Sequence, residues 1–294
     1  MDLHKPERKG WGDTEDMNNG NKVLKSSIVY FFAVVICVFS VIPVLWGLST
    51  SFKTDKVVYA IPPVWLPKPV TFANYVSVFH SKDMMRYFLN TMIISFFSTV
   101  ISMIIGVLAA YGFSRYKFPG CKTLLWSILF TRVLPRVTIV IPFYITLRNL
   151  KLLNTYAGLV LVYLMVVMPI TVWLLKGFFD NVPYEIEEAA IVDGCSPLKI
   201  LTKIVLPISL PAIASVGMYS FILAWNEFLF ALIMTNDRST RPIAVGLAFY
   251  IDEMGVHWGP LMAASIMMSI PAIIIFSLSQ RHLVKGLGEG AVKG

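Results

Sequence analysis

Six long apolar stretches constrain this 294-residue chain more than any other feature of its sequence. A helix needs roughly 20 apolar residues to cross the hydrocarbon core of a bilayer, where no water can satisfy an open backbone. The stretches predict an all-α membrane protein with a six-helix transmembrane domain over residues 26–280, flanked by tails at 1–25 and 281–294. They cover residues 26–52, 87–114, 123–147, 156–175, 204–234 and 258–280.

The composition agrees with a membrane protein. Hydrophobic residues make up 56% of the chain and charged residues 14%, whereas a soluble domain ordinarily has about 25% charged residues. The net charge is +8, but Lys and Arg are dispersed between the apolar stretches, so no nucleic-acid partner is predicted. The cysteines Cys37, Cys121 and Cys195 stand far apart, so we expect neither a disulfide framework nor a metal site.

The distribution of basic residues predicts the orientation of the chain. With six spans both termini share one side, and that side carries fourteen Lys and Arg against eleven on the other. The short turn with Arg115, Lys117 and Lys122 lies directly against two helix ends, where the positive-inside rule acts most strongly. We therefore expect a multi-pass protein with both termini in the cytoplasm.

The polar loop at 176–206 predicts two short helices joined by a sharp turn. Pro183 suits the first turn of a helix. Acidic side chains, which are favourable near the positive end of a helix dipole, follow at Glu185, Glu187 and Glu188. Gly194 supplies a left-handed cap, and Ser196 with Pro197 begins the second helix. Small residues bordered by acids predict a surface that docks in a cleft of a soluble partner.

An amphipathic helix resting on lipid is the alternative interpretation of this loop. Such helices prefer Lys and Arg on their polar face, since the cytoplasmic leaflet is anionic. Here the polar face is acidic, and repulsion from the leaflet disfavours that alternative.

The same loop resembles the EAA motif of the permease subunits of bacterial ABC importers. The matching positions are Glu188-Ala189-Ala190, Gly194, Ile204 and Leu206-Pro207. The segments at 109–118, 153–159, 224–230 and 290–294 are similar to the carbohydrate-uptake branch of that family, specifically to the G-type subunit of maltose transporters. The resemblance covers roughly residues 25–294.

The resemblance implies a type I importer permease fold in a bacterial inner membrane. It implies four kinds of neighbour: the membrane, a homologous second permease, two ATP-binding subunits, and a periplasmic or lipid-anchored solute-binding protein. ATP and Mg would belong to the ATP-binding subunits, with no cofactor in this chain. The first short helix would couple to the ATPase, with Glu188 meeting a basic group there. The implied coupling residues are Glu187, Glu188, Ala189, Ala190, Asp193, Gly194, Leu206 and Pro207.

Ionisable groups inside the spans are candidates for contact with a transported sugar or oligosaccharide, because such groups usually face water or a partner. Arg132 and Arg136 are four residues apart, so we expect them on one helix face. They either reach the outer headgroups or line the path, in which case an anionic cargo such as a uronate oligosaccharide or a sugar phosphate is favoured. Glu227 has either a structural role or a cargo contact. Tyr156 and Asn226 complete the candidate set.

Prolines recur within the predicted spans. They fit ordinary membrane helices, in which proline is tolerated, or helices kinked around a path. They are Pro43, Pro135, Pro142, Pro169, Pro211 and Pro271.

Catalytic motifs are missing from the sequence. There is no G-x-x-x-x-G-K-[ST] loop to hold ATP phosphates, and neither H-E-x-x-H nor G-x-S-x-G occurs. We therefore expect no enzymatic activity in this chain. Half of a secondary transporter remains an alternative, although the acidic loop has no role there. A membrane-embedded enzyme is a second alternative, which lacks converging catalytic groups.

Overall fold

The computed structural model describes the backbone of residues 12–291 and the side chains of residues 26–278. Helix α1 begins at Gly12, inside the predicted N-terminal tail, whereas residues 1–11 and 292–294 of the predicted tails lie outside the described residues. Regular structure in the described part is helical apart from one antiparallel hairpin, in which Ile251 pairs with Val256.

Fourteen α-helices make up most of the described chain, and the longest connection between them is residues 59–72. They are α1 (Gly12–Ser51), α2 (Asp55–Val58), α3 (Ala73–His80), α4 (Lys82–Arg115), α5 (Cys121–Phe130), α6 (Arg136–Asn149), α7 (Tyr156–Asp180), α8 (Tyr184–Val192), α9 (Pro197–Ile200), α10 (Leu206–Ile208), α11 (Leu210–Trp225), α12 (Leu229–Met234), α13 (Ile243–Ala248) and α14 (Trp258–Ala291). A π-helical turn at Leu201–Val205 joins α9 to α10, and the hairpin consists of β1 (Ile251–Asp252) and β2 (Gly255–Val256).

Four helices of the described part are long and apolar enough to cross a membrane unbroken. They are Ser26–Ser51 of α1, Lys82–Arg115, Tyr156–Asp180 and Trp258–Leu278 of α14. They confirm the first, second, fourth and sixth predicted spans. The run of apolar residues alone was sufficient to locate these four.

The third predicted span, 123–147, is not one helix. Helix α5 ends at Phe130 and α6 begins at Arg136, with Pro135 immediately before it. Proline has no N–H to donate and disfavours helical backbone at the residue before it, so the helix is interrupted at this point. The expectation that Arg132 and Arg136 share one helix face is therefore wrong, since Arg132 lies in the turn between the two helices.

The fifth predicted span, 204–234, is also wrong as a continuous helix. Its first residues belong to the segment Pro197–Ile208, which meets Leu210–Trp225 at an angle of 82°. Pro207 and Pro211 flank this bend, and each removes one backbone donor from the helical ladder. A second break after Trp225 separates α11 from α12.

Helices α4 and α7 form the centre of the bundle and run in the same direction, while α11 packs against both from the opposite direction. The Ser102 hydroxyl donates to Thr171 Oγ1 (3.1 Å), and Thr171 Oγ1 also lies 2.9 Å from Ser220 Oγ. A Cβ on Gly106 would lie 2.7 Å from Thr171 Cγ2, so the small residue permits this close approach. Helix α1 packs against α14, and its membrane-spanning part is largely exposed.

Candidate functional site

Helix α8 and the turn that follows it have the form that the sequence predicts. Pro183 lies one residue earlier than expected, at the N-cap of α8. Gly194 adopts φ +77°, and its N–H donates to the carbonyl of Ile191 while the N–H of Cys195 donates to that of Ala190, both at 2.9 Å. Pro197 begins α9 at its first turn. The loop is therefore a helix, a left-handed glycine turn and a second helix.

The predicted coupling residues divide between two faces of α8. Glu187 is 2% exposed and Ala190 is also buried. Glu188 and Ala189 are exposed, and so are Asp193 and Gly194 at the end of the helix. Val192, with 88% of its surface exposed, adds an apolar side chain to this outer face. Further along, Leu206 is half-buried and Pro207 exposed on the bent segment before α11.

The buried face of α8 is held by a charge pair with the end of α4. The Arg115 guanidinium donates through Nε to Glu187 Oε1 at 2.6 Å, and the Tyr111 hydroxyl donates to Glu187 Oε2 at 2.8 Å. Arg115 Nη2 also donates to the carbonyl of Val182, just before α8 (3.1 Å). Both charged side chains are almost entirely buried. Glu187 therefore has its partners within this chain.

Sequence reasoning missed Arg115 and Tyr111 as partners of the loop. Both lie in the segment 109–118, which resembles the importer permeases, and Arg115 is the charged residue that ends a long apolar helix. The available signal in the sequence was a long apolar run that ends at an arginine. It could not show which acid of the loop would meet that arginine.

A second polar contact fixes the ends of α4 and α7 to each other. The Ser114 hydroxyl donates to Asp180 Oδ1 at 2.6 Å, and Lys176 Nζ lies 2.6 Å from the other carboxylate oxygen of Asp180. Arg115 donates to the Ser114 hydroxyl as well (2.9 Å). The coupling loop thus begins at a point where two long helices are tied together.

Arg136, near the middle of the third apolar stretch, and Glu227, towards the end of the fifth, form an ion pair with Nη1 and Oε2 3.0 Å apart. Glu227 is buried and also accepts the N–H of Phe230 (3.1 Å), whereas almost half of the Arg136 side chain is exposed. The Tyr163 hydroxyl donates to the backbone carbonyl of Glu227 at 3.2 Å. Glu227 therefore anchors the break between α11 and α12 and neutralises Arg136.

Arg132 lines the same small cavity as Arg136. The cavity has a volume of about 50 Å³. Its wall is formed by Thr131, Arg132, Leu134, Arg136, Ile139, Met165, Val166 and Phe230. Among the described contacts the Arg132 side chain makes neither a hydrogen bond nor an ion pair, and the residue is exposed.

The other two candidate path residues have different partners. The Tyr156 hydroxyl donates to Asn90 Oδ1 at 2.7 Å, at the end of the bundle away from α8. Asn226 is exposed and its amide donates to the carbonyl of Ile222 on its own helix (2.9 Å). Over the described residues, no three His, Cys, Asp or Glu side chains come together as a group able to hold a metal ion.

Comparisons with known proteins agree with this geometry. Residues 102–289 match the family described as "Binding-protein-dependent transport system inner membrane component". The chain is 34% identical to the trehalose/maltose transport system permease protein MalG of Thermococcus litoralis, covering 93% of this chain and 99% of that one. It is 32% identical to the diacetylchitobiose uptake system permease protein DasC of Streptomyces coelicolor, covering 89% and 95%.

Two further similarities are to another transport permease and to a solved structure. The chain is 31% identical to the sulfoquinovosyl glycerol transport system permease protein SmoH of Agrobacterium fabrum, over 90% of this chain and 93% of that one. A chain from the crystal structure of a bacterial ABC transporter that imports the acidic polysaccharide alginate superposes with a TM-score of 0.74 at 24% identity, covering 93% of this chain and 99% of that one.

Proposed function

This chain belongs to the family of inner-membrane components of binding-protein-dependent transport systems, and we propose that it forms, with a homologous second permease, the path by which a carbohydrate enters a bacterial cell. The observation that carries the proposal is the acidic, partly apolar outer face of α8, held rigidly against the bundle by the buried Arg115–Glu187 pair. The family is one of transport components and not of enzymes. Membership of this family favours an importer permease and disfavours the alternative, in which the chain is one half of a secondary transporter.

ATP hydrolysis would take place on two partner subunits that bind ATP and Mg. The sequence has no phosphate-binding loop of its own. We place α8, both termini and the tails 1–25 and 281–294 on the cytoplasmic side of the domain 26–280, where α8 reaches the ATP-binding subunits. A periplasmic or lipid-anchored solute-binding protein would deliver the cargo at the opposite end.

The proposed cargo class is a sugar or oligosaccharide, because the relatives named above are permeases for such compounds. The Arg132 side chain, which is exposed and has no protein acceptor among the described contacts, supports an anionic member of that class, such as a uronate oligosaccharide or a sugar phosphate. The paired Arg136 offers less net charge, since Glu227 neutralises it.

The experiment that tests this function is purification of the complex from native membranes through an affinity tag on this chain. We expect a second permease and an ATP-binding subunit to co-purify. In proteoliposomes that carry the solute-binding protein on the side opposite α8, the complex should accumulate at least one of a panel of carbohydrates (maltose, trehalose, diacetylchitobiose and alginate oligosaccharides) when Mg-ATP is supplied on the α8 side. Purification of the chain without an ATP-binding partner would contradict the proposal.

Reversal of charge at Glu188 should uncouple the transporter. In Glu188→Lys we expect ATP-dependent uptake of the accumulated carbohydrate to fall about tenfold or more, within the ordinary range of coupling between sites. Glu188 is exposed on the docking face, so the change places a positive charge opposite the proposed basic group of the ATPase. The matched control is Glu253→Lys, an exposed acid in the distant hairpin. Equal uptake by both variants would remove Glu188 from the coupling surface.

Removal of the Arg132 charge should discriminate between neutral and anionic cargo. A hydrogen bond to a charged group stabilises by about 1.5–3 kcal/mol, so Arg132→Gln should raise KM for an alginate oligosaccharide by about tenfold or more. Uptake of maltose should change little, because its hydroxyls need no counter-charge. An equal loss of uptake for the alginate oligosaccharide and for maltose would show that Arg132 has a structural role.

A further inference from the structure

Helices α4 and α7 are tied together at three levels along their length. Asn90 accepts a hydrogen bond from Tyr156 (2.7 Å) at the end away from α8. Ser102 donates to Thr171 (3.1 Å) in the buried middle. Ser114 donates to Asp180 (2.6 Å) at the α8 end. Because these contacts span both helices, we treat α4 and α7 as one rigid unit, the α4–α7 pair.

The α8 end of this pair is attached to the coupling helix. The Arg115–Glu187 ion pair (2.6 Å) and the Tyr111 hydrogen bond join α4 to the side of α8 that faces the bundle. Helix α7 leads into α8 directly, and Arg115 also binds the carbonyl of Val182 in that connection. A buried ion pair is costly to break on one side, so α8 cannot move far without moving α4.

The opposite end of the pair is attached to the segment 235–242, which connects α12 to α13. The Asn90 amide donates to the carbonyls of Ser239 (3.0 Å) and Arg241 (2.9 Å). Thr91 Oγ1 accepts the N–H of Ile243 at 2.8 Å, immediately after the segment. Within the segment, hydrogen bonds from the Ser239 hydroxyl and N–H hold the pKa of the Asp237 carboxyl below its usual value. The segment is thus folded on itself and fastened to α4.

A second route also leads from α8 through the bundle, by way of α9 and α11. That route contains a π-helical turn, a bend of 82° and two flanking prolines. Such a joint absorbs displacement, because its backbone lacks a continuous hydrogen-bonded ladder. Helix α4, by contrast, is an unbroken helix of 34 residues, about 50 Å long.

We propose that the α4–α7 pair transmits displacement of α8 to the segment 235–242, with Arg115, Glu187 and Asn90 as its positioning residues. The inference rests on the proposed function, since it assumes that an ATP-binding subunit moves α8. It places Asn90 on the route from the ATPase to the face that receives cargo, about 38 Å along α4 from Arg115 at the helical rise of about 1.5 Å per residue. It also assigns Glu187 an internal role that its exposed neighbour Glu188 does not share.

Hydrogen–deuterium exchange of the complex purified from native membranes tests this route. The complex is compared without nucleotide and after trapping with Mg-ATP and vanadate, so no cargo has to be known. In the wild type we expect trapping to change exchange at both 184–192 and 236–242. In Glu187→Gln and in Asn90→Asp, which loses both amide donors, the change at 184–192 should persist and at least half of the change at 236–242 should disappear.

A double variant tests whether the two attachments act in series, and control variants test whether the effect is specific to them. If the two attachments act in series, the double variant Glu187→Gln with Asn90→Asp should lose no more of the exchange response at 236–242 than the more affected single variant does. Arg148→Lys and Asn149→Asp, at the exposed end of α6, should respond as the wild type does. Arg115→Lys, which keeps the charge but not the bond to Val182, replaces Glu187→Gln if that variant fails to assemble.

Two outcomes would overturn the inference, and they differ. A full trapping response at 236–242 in the assembled variants would refute the α4–α7 route and leave the importer function intact. The absence of any response at 184–192 in the wild type would refute the proposed function and the route with it.

Discussion

Alanine at position 187 is expected to destabilise the protein by about 3–5 kcal/mol, the usual effect of removing one partner from a buried ion pair. In Glu187→Ala the Arg115 guanidinium would lose its acceptor while it remains buried, and the Tyr111 hydroxyl would lose its acceptor as well. The free energy of unfolding can be measured by titration with SDS in mixed micelles. We expect a clear shift of the unfolding midpoint to lower SDS.

The matched control is Glu185→Ala, on the exposed side of the same helix. Changes at exposed positions usually lie within about 0.5 kcal/mol. Removal of Arg115 together with Glu187 should restore part of the loss, because no unpaired charge then stays buried. If Glu187→Ala and Glu185→Ala unfold at the same SDS concentration, the buried pair does not exist in the membrane.

Valine at position 194 is expected to abolish coupling while the complex stays assembled. Gly194 has φ +77°, a left-handed conformation that costs a residue with a side chain about 1–2 kcal/mol and is especially unfavourable for a β-branched one. No atom lies within 4 Å of a Cβ built there, so the effect comes from the backbone and not from a clash. The turn would open and change the direction of α8 relative to the bundle. We therefore expect ATP-dependent uptake to fall by at least about tenfold.

Asparagine at the same position provides the control for this change. Asn tolerates left-handed backbone far better than Val, so Gly194→Asn should retain most of the uptake. Co-purification of the ATP-binding subunit should be equal in both variants. Full uptake by Gly194→Val with normal ATP hydrolysis would show that the direction of α8 does not matter for coupling.

The sequence predicted those parts of the fold that depend on counting apolar residues. The spans that begin at Ser26, Lys82, Tyr156 and Trp258 are single helices because their apolar runs are long and contain at most one interior proline. The third and fifth stretches are also long and rich in apolar residues, but Pro135 interrupts the third, and Pro207 and Pro211 flank the bend in the fifth. Composition cannot distinguish a helix that a proline kinks from one that it breaks. The difference depends on which neighbouring groups satisfy the backbone carbonyls that the proline leaves unpaired.

For the candidate site, the sequence predicted the local structure of the loop but not the distant partners of its charged residues. The spacing of the loop located α8, the glycine turn and α9 to within a residue. It could not distinguish Glu187 from Glu188, which are adjacent acids about 100° apart around the helix. Only the position of Arg115, 72 residues earlier in the chain, decides which acid turns inward. In the same way, the partner of Arg136 is Glu227, 91 residues later.

The pairing of Arg136 with Glu227 determines how much work a membrane potential can do on this part of the chain. A single charge that crosses a potential of 100 mV exchanges about 2.3 kcal/mol with the field. A pair whose partners travel together carries no net charge, so the field does almost no work on it. Movements of α6 against α12 that keep this pair intact should therefore gain no dependence on voltage from Arg136 and Glu227.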